Sequence, residues 1–212
     1  MLTKNINFKN FRLRINKNKI ISDFKLLLKE NNSVLKSLNI NYKNSYNKKT
    51  ISKLKKYHHV RIIGMGGSIL GTESIYDFLK NKIKKSFYFI NNLEPDNNPY
   101  EKKKKHINLV VSKSGNTLET ISNANIFIRK NDKNIFITED KKSYLMSLAE
   151  KLKAEIVHHN NYIGGRYSVL SEVGMLPAEL MGLNEKNFKQ LNSLVKNKNF
   201  INLLTTNVGS TL

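Results

Sequence analysis

The segment His59-Val60-Arg61-Ile62-Ile63-Gly64-Met65-Gly66-Gly67-Ser68-Ile69-Leu70-Gly71 joins a β-branched run to a helix-period run through closely spaced glycines. Residues 59–63 suit a short buried strand. The spacing of Ile69, Leu70, Ile75, Phe78 and Leu79 predicts a helix over 68–81. Glycine lets the backbone turn sharply and approach a ligand, and the helix N-terminus that follows offers free N–H groups to an anion. A dinucleotide fingerprint would need a third glycine where Ile69 stands, and no Gly-Lys-Ser/Thr follows to make a Walker loop. Taken alone, the segment is either a tight strand–helix turn or an anion site.

The same strand–loop–helix pattern recurs downstream. Short apolar runs at 87–90, 107–111, 134–138 and 155–158 read as further strands. Helices are expected over 118–128, with Leu118, Ile121, Asn125 and Ile128 as the inward stripe, and near 142–153. Upstream, apolar spacing predicts one helix over 20–38 and a short one over 48–56. The last stretch, 185–198, looks helical and leads into a tail. Short strands alternating with helices make an α/β domain with a mainly parallel sheet. In such sheets ligands bind beyond the carboxyl ends of the strands.

Two more unusual loops fall at those ends. Ser112-Lys113-Ser114-Gly115-Asn116-Thr117 gathers three hydroxyls, an ammonium and a glycine before a helix. None of these groups is an acid, and no nucleophile has a base beside it. The set suits a dianion, because hydroxyls and helix N–H groups donate while the dipole favours negative charge. The alternative is a plain helix cap by Asn116 or Thr117, with Glu119 in the first turn. Gly164-Gly165-Arg166-Tyr167-Ser168 holds an arginine beside two glycines, either as a placed cation or as a surface loop. The second strand ends in Asn91-Asn92, without the acid that would bind a ribose. The pairs His58-His59 and His158-His159 sit on strands, where neighbours point to opposite faces. They read as structural or surface histidines, and no metal site is expected. Glu73, Glu119 and Glu172 each lie near a motif, without the spacing of an acid/base pair.

Composition bounds the rest. The chain has 212 residues, enough for a real core. Its 39% hydrophobic content is too high for a disordered basic tail, and zero cysteines exclude disulfides and thiolate metal sites. No apolar run approaches the ~20 residues of a membrane span. Met1 to Ile15 lacks the apolar core of a secretory signal, so a cytoplasmic globular protein is expected. The net charge of +21 suggests nucleic acid at first. Yet arginine occurs only at positions 12, 14, 61, 129 and 166; the rest is lysine along the whole chain, with one tight run at Lys102–Lys105. Nucleic-acid surfaces favour the planar arginine fork, so most of this charge reads as a solvated surface.

The three loops, in this order, resemble those of the glucose-6-phosphate isomerase family. The resemblance lies in Gly64-Met65-Gly66-Gly67-Ser68-Ile69-Leu70-Gly71, in Ser112-Lys113-Ser114-Gly115-Asn116-Thr117-Leu118-Glu119-Thr120 with Asn123-Ala124, and in Gly164-Gly165-Arg166-Tyr167-Ser168-Val169-Leu170-Ser171 with Val173-Gly174. It spans about Val60 to Gly182. It implies a sugar-isomerase (SIS) fold, with a parallel sheet flanked by helices. It implies that Ser112, Ser114 and Thr117 hold the sugar phosphate, with Lys113, Gly115 and Asn116 in the same loop and Thr120 nearby. Gly67 and Ser68 would line the substrate, and Arg166 would stabilise the cis-enediolate between glucose 6-phosphate and fructose 6-phosphate. No cofactor is implied, and a homodimer is expected for the family.

The family's catalytic glutamate, ring-opening histidine and C-terminal lysine lie downstream of the arginine loop in motifs that this sequence does not contain. Glu179 and Glu185 do not match them. The resulting expectation is a truncated or partial isomerase: an N-terminal helical segment over 1–50, a first SIS domain over 51–183, and the start of a helical linker toward a second SIS domain over 184–212. A stand-alone phosphosugar-binding module is the main alternative, and a basic nucleic-acid-binding protein the remaining one.

Overall fold

The computed structural model describes residues 16–93 and 106–211. The Lys102–Lys105 run and the segment read for a signal, 1–15, lie outside the described residues. In chain order the elements are α1 (Lys17–Lys29), α2 (Ser33–Ser37), α3 (Lys48–Leu54), β1 (His59–Gly64), α4 (Leu70–Leu79), β2 (Ser86–Ile90), β3 (His106–Val111), α5 (Leu118–Phe127), β4 (Lys133–Glu139), α6 (Tyr144–Lys151), β5 (Glu155–His159), α7 (Glu172–Leu180), α8 (Leu191–Leu194) and α9 (Lys198–Thr211). They form two compact units: Lys43–Phe188, and Met1–Tyr42 together with Lys189–Leu212.

The unit of residues 43–188 is built on a five-stranded sheet in the order β2-β1-β3-β4-β5, and every neighbouring pair is parallel. This is the expected α/β class. The chain leaves β1 outward to β2, then returns past β1 to β3. The strand order therefore reverses between β1 and β3, which opens a crevice at their carboxyl ends. The register places Gly64 opposite Val111 and Val111 opposite Ile137, so the following loops start level with one another.

The strands are apolar on both faces, as a parallel sheet covered by helices requires. Alternate residues point opposite ways. Ile62, Leu109, Ile135 and Ile137 join Ile51 and Leu54 from α3, Met175 and Leu176 from α7, and Ile69 just before α4 in one core. Ile63, Val110 and Phe136 join Ala124, Phe127, Leu145 and Ala149 from α5 and α6 in the other. Phe136 is fully buried, and burying a side chain of this kind contributes about 1.5–3 kcal/mol. Toward the amino ends, a polar ladder crosses the sheet in register. Buried Arg61 donates to Asn108 Oδ1 at 3.1 Å and to the Phe127 carbonyl at 2.9 Å, and Asn108 donates to Asn134 Oδ1 at 2.7 Å.

Several expected helices change at their polar residues. The helix expected over 20–38 breaks into α1 and α2. Glu30 is extended at the end of α1, and Asn32 uses its side chain to accept from Val34 N at 2.8 Å and start a new helix. Asparagine competes with the helical backbone in this way. The helix expected from 68 begins instead with a 3-10 turn, Gly66–Ser68, and α4 starts at Leu70. The stripe expected on α5 is rotated: Thr120, Asn123, Ala124 and Phe127 are buried, and Leu118 is 71% exposed. A helix packs by where its neighbours lie, and Leu118, at the loop edge, faces none. The stretch 185–198 is a 3-10 turn followed by the single-turn α8, and the expected tail is the helix α9.

In the unit of residues 1–42 and 189–212, α1 packs against α9. Among the described residues no helix is long and apolar enough to cross a membrane.

Candidate functional site

Three connections leave the carboxyl edge of the sheet: residues 65–69 after β1, 112–117 after β3, and 160–171 after β5. The first and third touch backbone to backbone. A Cβ placed on Gly67 would fall inside the Gly165 carbonyl group and 2.8 Å from Arg166 N. Ser168 Oγ donates to the Gly165 carbonyl at 2.7 Å, with the Gly67 carbonyl also in reach at 3.2 Å. Gly66 sits at φ +53°, the left-handed region that favours glycine, and this turns the chain into the contact. Gly67, Ser68 and Arg166 thus come together from residues about a hundred positions apart. Arg166 is exposed, and among the described residues no hydrogen bond or ion pair engages its guanidinium.

The second loop lies beside β1 because β3 does. Ser112 is buried, with its Oγ 2.9 Å from Thr117 Oγ1. Thr117 occupies the N-cap position of α5, but no side chain caps that helix, so the capping reading is overturned. Asn116 serves a different helix: its Oδ1 accepts from Tyr144 N at 2.8 Å, at the start of α6. The first-turn N–H groups of α5 are therefore left to water or to a ligand. Exposed Ser114 accepts from Asn116 N at 3.2 Å. Gly115 is at φ +66°, and a Cβ there would collide with Ser143 Oγ and stand 2.9 Å from Thr138 Oγ1. Thr120 is fully buried one turn further on, and its Oγ1 has no partner among the described residues. Ser143 is the N-cap residue of α6, its Oγ accepting from Met146 N, so Asn116→Ala is expected to cost only about 0.5–1 kcal/mol through the lost bond to Tyr144 N, read by urea unfolding.

Lys113 is placed differently from the other members of its loop. Its ammonium lies 3.1 Å from Glu139 Oε1 and donates to the Asn161 carbonyl at 2.8 Å. It ties the loop after β3 to the end of β4 and to the loop after β5.

The sequence did not single out how the remaining acids and histidines are used. Asn91 Nδ2 donates to Glu73 Oε2 at 3.1 Å. His59 stacks on Tyr88, and exposed His158 lies 3.8 Å from Asp140. His159 and Glu172 are both 1% exposed and 2.7 Å apart, Nδ1 to Oε1. His159 Nε2 faces the Ile163 carbonyl at 3.0 Å, and Asn160 N donates to Glu172 Oε1 at 2.8 Å. Burial alone would raise the Glu172 carboxyl, but the hydrogen bonds from His159 and from backbone N–H groups outweigh it and hold the carboxyl below its ordinary range. The available signal was a lone acid between Ser171 and Val173 in an otherwise apolar stretch. Among the described residues, no three His, Asp or Glu side chains gather as a metal site.

Residues 2–202 match the model of the phosphoglucose isomerase family. The glucose-6-phosphate isomerase of Borreliella burgdorferi (strain ZS7) is 36% identical over 173 residues, which cover 67% of this chain and 32% of that protein. The glucose-6-phosphate isomerase of Methanocaldococcus jannaschii is 36% identical over 142 residues, covering 62% and 35%. The chain thus spans about a third of the length of the relatives it matches. Among solved structures, a hypothetical protein from Thermus thermophilus superposes with a TM-score of 0.67 at 20% identity, over 90% of this chain and 51% of that one. Tagatose-6-phosphate ketose/aldose isomerase from Escherichia coli gives 0.54 at 14% identity, over 75% and 47%. The solved structures establish the fold class alone, while the family match runs through all three loops at the crevice, so the chain belongs to the phosphoglucose isomerase family.

Proposed function

We propose that this chain is the phosphosugar-binding part of a glucose-6-phosphate isomerase. One observation carries the reading: the glycine turn, the hydroxyl loop and the arginine loop all leave the sheet at the carboxyl edge beside the β1/β3 switch point, with Gly67 against Gly165 and Lys113 bonded to the Asn161 carbonyl. In this reading Ser112, Ser114 and Thr117, with Gly115, Asn116 and the N–H groups opening α5, donate to the phosphate of a hexose 6-phosphate. Lys113 supplies positive charge from the side and holds the loop. Thr120 supports the helix from within, and Gly67 and Ser68 line the sugar.

Arg166 then lies toward the reacting carbons. Moving a proton between C1 and C2 builds negative charge on oxygen, and a guanidinium beside it stabilises that charge without a proton transfer of its own. The base that moves the proton is assigned to sequence corresponding to the remaining length of the relatives. General acid–base catalysis is worth about 10²–10⁴-fold, so residues 1–212 alone are expected to bind substrate and turn it over poorly. On this reading 51–183 is a first SIS domain, 1–50 a helical segment preceding it, and 184–212 the start of a linker to a second SIS domain. The working protein is then a cytoplasmic homodimer.

The test is titration of the 212-residue chain with fructose 6-phosphate by calorimetry. Ser114→Ala with Thr117→Ala is expected to weaken binding about tenfold, through the loss of two hydrogen bonds to a charged group. Unchanged affinity places the phosphate elsewhere. Binding without isomerisation, in a chain extended to the relatives' full length, would favour the stand-alone module.

A further inference from the structure

The loop that carries Arg166 leaves β5 after His159 and ends where α7 begins, at Glu172. The side chains of these two boundary residues meet at 2.7 Å, and Glu172 also accepts from Asn160 N. One buried carboxylate thus closes the base of the whole loop. The other ring nitrogen of His159 reaches forward to the Ile163 carbonyl. Ile163 is itself fully buried, and only Gly164 and Gly165 separate it from Arg166.

Neither glycine has a side chain to pack; a Cβ on Gly165 would meet nothing within 4 Å, and the backbone contact of Gly165 and Arg166 N with Gly67 holds this segment on one side only. The order of Arg166 must therefore come from its flanks. Downstream, Ser168 grips Gly165 and Gly67. Upstream, the anchor is Ile163, which the His159–Glu172 pair holds. Both ring nitrogens of His159 face oxygen atoms, Nδ1 the Glu172 carboxylate and Nε2 the Ile163 carbonyl, so the ring is held from both edges. Burying such a pair is expensive, and an apolar pair of similar volume would stabilise as well. What the pair adds is direction. Lys113 fixes the same loop from the phosphate side through the Asn161 carbonyl.

We propose that Glu172 and His159 are positioning residues for Arg166, a buried clasp that sets the guanidinium relative to the hydroxyl loop without touching ligand. The inference rests on the phosphosugar reading of the site.

The experiment is a double-mutant cycle on the 212-residue chain. It is titrated with inorganic phosphate and with 5-phosphoarabinonate, whose carboxylate carries the charge of an enediolate. Glu172→Gln keeps the shape and removes the charge. It is expected to weaken 5-phosphoarabinonate about tenfold and to leave phosphate within about twofold. In an Arg166→Ala background it should have no further effect. An equal loss in that background, a parallel loss of phosphate, or no loss at all overturns the proposal. His159→Asn should give the same pattern and takes the place of Glu172→Gln if that variant does not fold. Amide hydrogen exchange reads the clasp without a ligand: the amides of residues 163–167 should exchange faster relative to those of β3, and unchanged relative protection overturns it. A wild-type chain that binds neither compound overturns the phosphosugar reading, and exchange then decides the clasp alone.

Discussion

Alanine at Gly67 is expected to force the glycine turn and the arginine loop apart and to abolish detectable binding of fructose 6-phosphate. The added Cβ has nowhere to go. It would overlap the Gly165 carbonyl and approach Arg166 N to 2.8 Å, and all of these atoms belong to backbone rather than to a side chain that could swing aside. Overpacking of this kind costs about 1–3 kcal/mol. The functional loss should be larger than that figure implies, because the displaced segment contains the Arg166 peptide and the Ser168 bonds that cross the contact. Gly165→Ala is the control. It lies on the other side of the same contact, yet its Cβ would point into open space and its φ is not in the left-handed region. Its stability should stay within about 0.5 kcal/mol of wild type. Urea unfolding and calorimetry of both variants separate the cases; similar behaviour would show that the two loops are not held by close approach at Gly67.

How much of this was legible in the sequence depends on how local each cause is. The strands and the three loops were readable because their signals are short: β-branched runs, glycines, and hydroxyls ahead of a helix. The switch point followed once the strand order was known, but that order is not written in any one segment. Roles that depend on a distant partner were missed. Asn116 looked like a cap for α5, and its partner is Tyr144 of α6. That the Lys113 ammonium also meets Glu139 and the Asn161 carbonyl was not readable from its own loop. Arg61 looked like background charge, and it is buried in a ladder that exists only because β1, β3 and β4 lie side by side in register. The stripe on α5 went half wrong for the same reason. Apolar spacing named Leu118, Ile121, Asn125 and Ile128; Ile121 and Ile128 do pack against the core, but Leu118 and Asn125 are exposed and the buried positions are Thr120, Asn123, Ala124 and Phe127.

The last expectation concerns Glu172, whose removal should be the most destabilising single change discussed. Glu172→Ala takes the carboxylate from the buried His159 ring and leaves Asn160 N without its acceptor. Breaking a buried pair from one side costs about 3–5 kcal/mol, against a total stability of about 5–15 kcal/mol for a domain. The cost should also depend on pH in a definite direction. The folded carboxyl lies below its ordinary range, whereas in the unfolded chain it titrates near ~4.3. The folded state therefore binds this proton less readily than the unfolded state. The stabilisation is complete above the unfolded value, and it is lost as pH falls from there through the lower folded value. Wild type and Glu172→Ala should then differ most at neutral pH, with the gap narrowing in acid as the wild-type carboxyl is protonated. Urea unfolding at neutral pH and at a pH below ~4 measures both gaps. A gap that stays constant, or widens in acid, would mean that the Glu172 side chain stabilises by packing rather than by its charge, and the clasp on the arginine loop would lose its electrostatic basis.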